Sequence, residues 1–261
     1  MSEGLTEVED GILIVTINRP EAKNAMNKAA AEGISAAMDR LEAEDDLRVA
    51  ILTGAGGTFC SGMDLKGFLR GERPTVEGRG FGGISQWTPA KPIIAAVDGY
   101  ALAGGCELAI ACDLIVANSN AKFGIPEAKR GLAAAGGGLV RLPRQMPWRV
   151  AMELALTGDF IDAQRAYDFG LVNRVVEGPA VDGAKELARR IVENGPLAIA
   201  KSKRVVRESA QWSDEEMWDK QGEVLGNLFM TNDAREGATA FAEKRKPNWT
   251  GTSASVPPHL R

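Results

Sequence analysis

Histidine is almost absent from this sequence: its 261 residues include one, His259, in a proline-containing C-terminal tail. A Ser-His-Asp or Cys-His catalytic group, or a histidine-ligated metal, would depend on that terminal residue. The sequence therefore argues against histidine-dependent nucleophilic catalysis. Acid–base chemistry is left to carboxylates, lysine, tyrosine or cysteine.

Cysteine is also scarce. The three cysteines, Cys60, Cys106 and Cys112, are odd in number and lack the spacing of a zinc site. Both features favour reduced thiols over a disulfide framework. The sequence thus predicts no metal.

Positive charge is not in excess, since 31 Lys and Arg face 35 Asp and Glu. No basic face is expected for nucleic acid or an anionic membrane. The acidic start, MSEGLTEVEDG, lacks the pattern of an export signal. The longest apolar stretch, residues 99–117, contains Glu107 and Asp113, which argues against a membrane span. We therefore expect a cytoplasmic globular protein with neither nucleic-acid nor membrane partners.

Apolar runs and helical patterns alternate in the first part of the chain. Residues 12–17 and 49–52 read as strands around a helix that Asn27 can cap, over about 28–44. This β-α-β order predicts an α/β fold with parallel strands. Further strands are predicted at 92–97, 113–117 and near 171–176, with a short extended piece at 122–124.

The last third is predicted to be helical, which suggests a core over residues 1–195 and a helical region over 196–261. The predicted helices cover about 147–157, 162–169, 180–195, 197–209, 213–229 and 233–244.

The stretch from 99 to 117 has the composition of a catalytic element. Gly104 and Gly105 leave room for a close approach to the main chain, and the residues after them look helical. Free N–H groups at that helix start would stabilise an oxyanion and favour ionised Glu107. The structural alternative is that the glycines serve helix packing and Glu107 pairs with a buried cation.

Two other positions carry weaker signals. Gly62 allows a tight reversal that could expose the Met63 N–H, although an ordinary turn has the same pattern. Pro126 would hold Glu127 at a fixed turn, although an acid there is also common at helix starts.

Residues 69–90 have no periodicity and predict a mobile surface segment. Gly78, Gly80 and Gly83 match GxGxxG, but no strand precedes them and prolines follow, so a dinucleotide site is rejected. The run 131–138, GLAAAGGG, predicts a flexible bend.

Five blocks in order make the chain resemble the crotonase superfamily, and enoyl-CoA hydratases most of all. The blocks are NRPEAKNAMN at 18–27, ILTGAGGTFCSGMDL at 51–65, GYALAGGCELAIACDLIVA at 99–117, FGIPEAKRG at 123–131 and ALTGDFIDAQRAYDFGLVNRVV at 155–176. The resemblance implies a spiral of ββα units followed by a helical region for trimerisation or as a lid. It also implies assembly as a trimer or dimer of trimers, and an acyl-CoA thioester substrate without a separate cofactor.

The resemblance assigns site residues as well. Met63 and Gly104 match the backbone donors of an oxyanion hole, and Glu107 and Glu127 match the two catalytic carboxylates. The positions that match the CoA site are Ala22, Lys23, Ser61, Met63, Asp64, Leu65, Lys66 and Gly104. The candidates for binding the CoA phosphates are Lys23, Lys66 and a neighbouring subunit's Lys244 or Lys246.

The expected reaction is hydration of trans-2-enoyl-CoA in fatty-acid or related acyl-CoA degradation. Glu107 would accept a proton from the attacking water, and Glu127 would deliver one to Cα. Two such acids should titrate as a coupled pair. The alternatives are a Δ3,Δ2-enoyl-CoA isomerase, a thioester hydrolase and a non-catalytic acyl-CoA binder.

One departure from the family pattern lies beside the second acid. Many hydratases have a Pro-Gly turn there, whereas this chain has Ala134 and Ala135, preceded by Lys129 and Arg130. The acyl chain length is therefore not predicted. Segment 69–90, with Phe81 and Trp87, is expected to form a wall or lid of the acyl pocket, or else a plain surface loop.

Overall fold

A computed structural model describes residues 4–251; the N-terminal tripeptide, the end of the predicted 196–261 region and its histidine at 259 lie outside the described residues. The strands are β1 Gly4–Glu9, β2 Ile12–Ile17, β3 Val49–Gly54, β4 Thr75–Val76, β5 Gly80–Phe81, β6 Ile93–Val97, β7 Tyr100–Leu102, β8 Leu114–Asn118, β9 Lys122–Gly124, β10 Ile161–Asp162 and β11 Arg174–Val176. The α-helices are α1 Lys28–Ala43, α2 Leu65–Leu69, α3 Gly104–Ala111, α4 Gly138–Gln145, α5 Trp148–Thr157, α6 Ala163–Asp168, α7 Ala180–Val192, α8 Pro196–Ser209, α9 Met217–Leu225 and α10 Asn232–Glu243.

A six-stranded sheet in the order β1-β2-β3-β6-β8-β11 forms the outer layer. The pair β1 and β2 is antiparallel, and all the other neighbours are parallel. Helices cover both faces, so the central strands are apolar on both sides. In β2, Ile12 and Ile14 pack with α7, whereas Leu13, Val15 and Ile17 join the main core with α1 and α3.

A second layer holds the site. It contains β7, β9 and β10, extended by two isolated parallel bridges, Met26 to Met63 and Cys60 to Ala101. The chain thus repeatedly leaves a strand of the large sheet, adds a short piece to this layer and continues into a helix, as in β6-β7-α3. The predicted α/β architecture of ββα turns is confirmed.

Several local predictions are confirmed. The Asn27 side chain accepts a hydrogen bond from Ala30 N at 2.9 Å and caps α1. The helices predicted after residue 147 are present within a few residues, except that 213–229 contains only α9 and the 3-10 turn Leu228–Met230. The predicted division at 195/196 coincides with the gap between α7 and α8, and as a domain boundary it stays a prediction.

The prediction of a surface segment at 69–90 holds only in part, because most of residues 69–79 are exposed whereas the segment also contains regular structure and buried residues. The segment forms the β4–β5 hairpin, and residues 82–85 are buried. Its glycines pack against other elements: a Cβ on Gly82 would lie 2.4 Å from Leu108 Cδ2, and one on Gly83 would lie 2.6 Å from Ala31 O. Close packing of the main chain, which carries no sequence periodicity, orders this segment.

Within residues 4–251, no helix has the length and apolar character needed to cross a membrane.

Candidate active site

A cavity of about 310 Å³ opens where the second layer meets the start of α3. Its lining is mostly apolar, with few charged side chains. The lining residues are Ser61, Met63, Leu65, Phe81, Leu102, Ala103, Gly104, Glu107, Pro126, Glu127, Arg130, Leu132, Ala133, Ala135, Gly136 and Phe160. All four predicted catalytic positions are therefore brought to one cavity.

The loop that carries Met63 is held by pairing with the turn after β2. Ser61 N donates to Lys23 O at 3.1 Å, and Met26 N donates to Gly62 O at 2.7 Å. Asp64 N completes the pairing by donating to Met26 O at 2.9 Å. These bonds fix the backbone on both sides of Met63, so the direction of its N–H is set by the fold.

Gly62 brings this loop against the start of α3. Its φ is +110°, and a Cβ there would lie 2.9 Å from Ala103 Cβ and 3.5 Å from Gly104 N. Ala103 also has a positive φ, +50°, at the entry to the helix. The N–H groups of Met63 and Gly104 make no hydrogen bond to any of the residues described. Two neighbouring main-chain donors thus remain available at the cavity.

Both glycines at the start of α3 are required by contacts. A Cβ on Gly104 would lie 2.3 Å from Phe81 Cζ, and one on Gly105 would lie 2.0 Å from Cys60 O. Phe81 therefore covers the Gly104 main chain and forms a wall of the cavity. This agrees with the expectation of a wall from segment 69–90. Trp87 contributes to this wall only indirectly. Its ring stacks on the guanidinium of Arg79, whose Cζ lies 3.7 Å from the ring centroid.

Glu107 is buried, with 3% of its surface exposed. Its Oε1 accepts a hydrogen bond from Gly138 N at 2.9 Å, at the start of α4. Burial raises the pKa of Glu107 from 4.5 to about 7; the Gly138 amide opposes this rise and the charge of Glu127 adds to it. The sequence led us to expect that its helix start favours ionised Glu107; in the fold, the loss of hydration acts in the opposite direction and raises the pKa.

Of the structural alternative, the packing role of the glycines holds, whereas the ion pair expected for Glu107 is not found among the described residues. In the part of the chain that the structure describes, Glu107 forms no ion pair and accepts from the main chain instead. Arg141 contributes only a distant charge, since its guanidinium donates to Ser85 O at 2.6 Å. A buried carboxylate without a paired cation is costly to ionise, which suits a group that exchanges protons.

Glu127 lies in the 3-10 turn Pro126–Arg130. Burial raises its pKa, and its Oε2 is buried without a hydrogen-bond partner among the described residues. A buried oxygen without a partner in an enzyme-like cavity is typical of a site awaiting a ligand or water. The charge of Glu127 raises the pKa of Glu107, whereas the causes acting on Glu127 are burial, its own backbone and Arg130; titration of the two acids as a coupled pair stays a prediction.

The residues proposed for CoA divide into two groups. Ser61, Met63, Leu65 and Gly104 line the cavity. Ala22, Lys23, Asp64 and Lys66 lie in the adjoining turns and do not line it.

Asp64 has a structural role that the sequence did not predict. Its Oδ1 accepts from Lys66 N at 3.0 Å and from Gly67 N at 3.1 Å, which caps α2. Its Oδ2 pairs with Arg19 Nη2 at 3.0 Å. These partners occupy the carboxylate, so Asp64 positions the loop and is not available as a direct ligand.

Sequence reasoning missed the start of α4. It predicted a bend at 131–138, whereas Gly136 and Gly138 pack on the carboxylate of Glu107: a Cβ on Gly136 would lie 2.6 Å from Glu107 Oε2. The run of glycines was the available signal. A run of glycines indicates that the main chain passes close to another part of the molecule. Only the fold shows that this neighbour is the carboxylate of Glu107.

The three cysteines are free, in agreement with the predicted reduced thiols, and the structure shows that all three are buried. Burial raises the pKa of the Cys60 and Cys106 thiols to about 12, so they are weak nucleophiles. Among the described residues, no group of three or more His, Cys, Asp or Glu side chains is arranged to hold a metal.

Comparison with known proteins agrees with this geometry. The family described as enoyl-CoA hydratase/isomerase matches residues 7–252. The enoyl-CoA hydratase EchA19 of Mycobacterium tuberculosis is 42% identical, over 95% of this chain and 96% of that protein. The carnitinyl-CoA dehydratase of Proteus mirabilis is 39% identical, over 96% of this chain and all of its own length.

Solved structures give the same result. A crystal structure of an enoyl-CoA hydratase from Mycobacterium tuberculosis H37Rv superimposes with a TM-score of 0.95 at 57% identity, covering 97% of this chain and 100% of that one. Fold and site define a crotonase-type enzyme. The chain belongs to the enoyl-CoA hydratase/isomerase family.

Proposed function

We propose that this protein is an enoyl-CoA hydratase, which adds water reversibly across the double bond of a trans-2-enoyl-CoA to give a 3-hydroxyacyl-CoA. The observation that carries the proposal is the meeting of two carboxylates of raised pKa with two unpaired main-chain N–H groups in one cavity. This is the set of groups that conjugate addition to a thioester requires.

The N–H groups of Met63 and Gly104 bind the thioester oxygen. As water adds to Cβ, electron density moves through Cα to that oxygen, and two fixed donors stabilise the enolate. Losing one such donor typically costs about 3 to 4 kcal/mol. Because both donors belong to the backbone, the side chain of Met63 is free to line the cavity.

The two glutamates divide the proton transfers. Glu107, with a pKa about 7, accepts a proton from the water that attacks Cβ. Glu127, whose pKa is also raised, holds a proton more readily than an exposed acid and delivers it to Cα. One proton is taken up and one is given, so the enzyme is reset when Glu107 returns its proton to Glu127 through solvent.

The isomerase alternative needs one acid to move a proton between two carbons. The presence of both Glu107 and Glu127 in the cavity favours the hydratase. A binder without turnover would have no use for two buried acids, which lower stability when ionised.

The turns at 22–23 and 61–66 are the proposed path of the CoA moiety, with Lys23 and Lys66 as cations for its phosphates. Lys23 Nζ lies 5.6 Å from the centroid of the Tyr100 ring, and Lys66 is exposed. Assembly into a trimer or dimer of trimers, and any contribution of Lys244 or Lys246 from a neighbouring subunit, stay predictions.

An assay with crotonyl-CoA tests the function. A hydratase abolishes the ultraviolet absorbance of the conjugated thioester and yields 3-hydroxybutyryl-CoA, detectable by mass spectrometry. An isomerase or a binder leaves that absorbance unchanged, and a hydrolase releases free CoA thiol; any of these results contradicts the proposal. A pair of glycine variants tests the main-chain donors. In Gly104→Ala the new Cβ would clash with Phe81, whereas in the control Gly178→Ala it would meet no atom within 4 Å. We expect about a 100-fold loss of kcat for Gly104→Ala alone.

A further inference from the structure

Arg130 is an exposed cation that lines the cavity and forms no ion pair with the described residues. Among the described residues that line the cavity, it is the only one with a positive charge. No ion pair or side-chain hydrogen bond of the described residues involves its guanidinium. An arginine beside a ligand cavity without a protein partner has five donors available for a ligand group.

Its neighbour in sequence behaves differently. Lys129 Nζ pairs with Asp159 Oδ1 at 2.8 Å and lies 5.9 Å from the centroid of the Phe160 ring. Lys129 does not line the cavity. Of the two adjacent cations in the Pro126–Arg130 turn, one is therefore neutralised on the outside and the other is left free at the cavity.

Arg130 also lies on the segment that carries Glu127. The turns proposed for CoA, at 22–23 and 61–66, are separate parts of the chain. The lining residues that follow Arg130, Leu132, Ala133 and Ala135, are small or apolar. The acid that precedes it, Glu127, also lines the cavity, and the charge of Arg130 lowers the pKa of that carboxyl without forming an ion pair with it. The acyl group, whose Cα must reach Glu127, is thus the part of the substrate that comes closest to this cation.

We propose that Arg130 selects acyl groups that carry a carboxylate beyond the double bond, so that the preferred substrates are short enoyl-CoA thioesters of dicarboxylic acids. The proposal rests on the proposed function and deepens it. The cavity, about 310 Å³, is at the small end for ligand sites, which favours a short acyl group. The same positive charge disfavours an acyl group that carries a quaternary ammonium. Carnitinyl-CoA, which gives its name to one of the relatives, has such a group.

The test compares substrates that differ only at the acyl end. They are trans-4-carboxybut-2-enoyl-CoA, its methyl ester and the 4-trimethylammonio analogue of crotonyl-CoA. The readout is the ratio of kcat/KM for the carboxylate to that for the methyl ester, because losses in folding, CoA binding or acid–base chemistry cancel in this ratio. We expect wild-type protein to prefer the carboxylate and to turn over the ammonium substrate least.

Arg130→Leu should lower this ratio about tenfold, the effect of losing one charged hydrogen bond at a partly exposed site. Arg130→Lys should retain part of the preference, and Arg130→Glu should reverse it in favour of the ammonium substrate. Lys129→Leu is the matched control and should leave the ratio unchanged. The proposal is overturned if Arg130→Leu leaves the ratio unchanged, or if it slows all three substrates equally, the result expected of a cation that binds a CoA phosphate.

A second measurement keeps the two proposals distinguishable. Calorimetry with 4-carboxybutanoyl-CoA and butanoyl-CoA, which have no double bond, compares binding without turnover. If wild-type protein binds 4-carboxybutanoyl-CoA more tightly than butanoyl-CoA and Arg130→Leu does not, the proposed role of Arg130 is supported even if no substrate is hydrated. If wild-type protein binds both thioesters with equal affinity, the proposed role is rejected. If crotonyl-CoA is not hydrated, the proposed function fails while this binding comparison still stands.

Discussion

Two carboxylates, six residues apart in sequence, have opposite surroundings: Glu107 is buried and Asp113 is half-buried. Asp113, just after α3, pairs with Lys203 Nζ at 2.7 Å, receives a hydrogen bond from Ile93 N at 2.8 Å and lies 3.6 Å from Arg207 Nη1. Glu107, within α3, has main-chain donors but no paired cation. The first ties α8 to the sheet, and the second lies in a cavity beside unpaired N–H groups.

The difference separates structural acids from catalytic ones. An ion pair with satisfied hydrogen bonds is a structural contact, because removing one partner leaves the other charge buried and uncompensated. A carboxylate that has lost hydration and gained no countercharge titrates near neutral pH, as Glu107 does with a pKa about 7. Burial alone therefore does not mark an active-site acid; burial without a cation does.

The largest expected effect concerns the acids in the cavity and tests whether they transfer protons. Glu107→Gln and Glu127→Gln each remove a proton-transfer group, and we expect kcat for hydration to fall about 1,000-fold in both. KM should change little, because the thioester is bound by main-chain donors. Steady-state kinetics with crotonyl-CoA and melting curves check this. Near-wild-type hydration in either variant would show that the two-acid mechanism is wrong.

The next largest effect concerns the ion pair of Asp113 and tests whether it stabilises the fold. Asp113→Asn leaves the buried Lys203 without its countercharge, and we expect the free energy of unfolding to fall by about 3 kcal/mol. The value of kcat should remain within about twofold, since the pair lies outside the cavity. Urea denaturation measures the stability. Adding Lys203→Met should restore part of the loss; no recovery in the double variant would contradict an ion-pair origin.

A pH-dependent stability effect is expected at Glu107. Its pKa is higher in the folded protein than its ordinary value of 4.5, so folding favours the protonated form. The stability that depends on this group is therefore greatest below about pH 4.5 and is lost as the pH rises through about 7. Glu107→Gln, which cannot ionise, should be about 2 kcal/mol more stable than wild type at pH 8.

Denaturation at pH 8 and pH 5 measures this difference. The advantage of Glu107→Gln should shrink at the lower pH, where wild-type Glu107 is protonated too. Equal stabilities of the two proteins at pH 8 would show that Glu107 ionises without cost. The control Glu9→Gln, at an exposed acid bound by Lys185 and Arg189, should not gain stability at pH 8.

The smallest effect concerns the interaction of the two acids. Wild-type kcat/KM should fall as the pH drops below about 7, because Glu107 must be ionised to accept a proton. Glu127→Gln removes a negative charge that raises the pKa of Glu107. The acid limb of its residual activity should therefore move to lower pH. A pH profile of kcat/KM and carbon NMR of the Glu107 carboxyl measure this shift in pKa. If the acid limb of the profile does not move in Glu127→Gln, the two acids ionise independently of each other.

Much of the fold could be predicted because its signals are local. The apolar runs at 12–17 and 92–97 have no other stable place than a buried sheet, and Asn27 before an amphipathic pattern marks the start of α1. The order of these elements then restricts the topology to a parallel arrangement. The β4–β5 hairpin escaped prediction, because contacts of its glycines with Leu108 and Ala31, distant in sequence, order it.

The site was predictable in its parts but not in its electrostatics. The glycine pairs and the two glutamates identify the family by resemblance, and the comparisons confirm that family. The occupied carboxylate of Asp64 depends on Arg19, 45 residues away, and the ion pair of Lys129 depends on Asp159, 30 residues away.

The sequence by itself determined the sheet and its helices and several of the backbone positions where glycine is needed. Tertiary structure alone decided the surroundings that raise the pKa of Glu107. The start of α4, the wall made by Phe81 and the charge of Glu127 meet around it from separate parts of the chain. Ionisation depends on what surrounds a group within a few ångströms, and sequence neighbours supply only part of those surroundings.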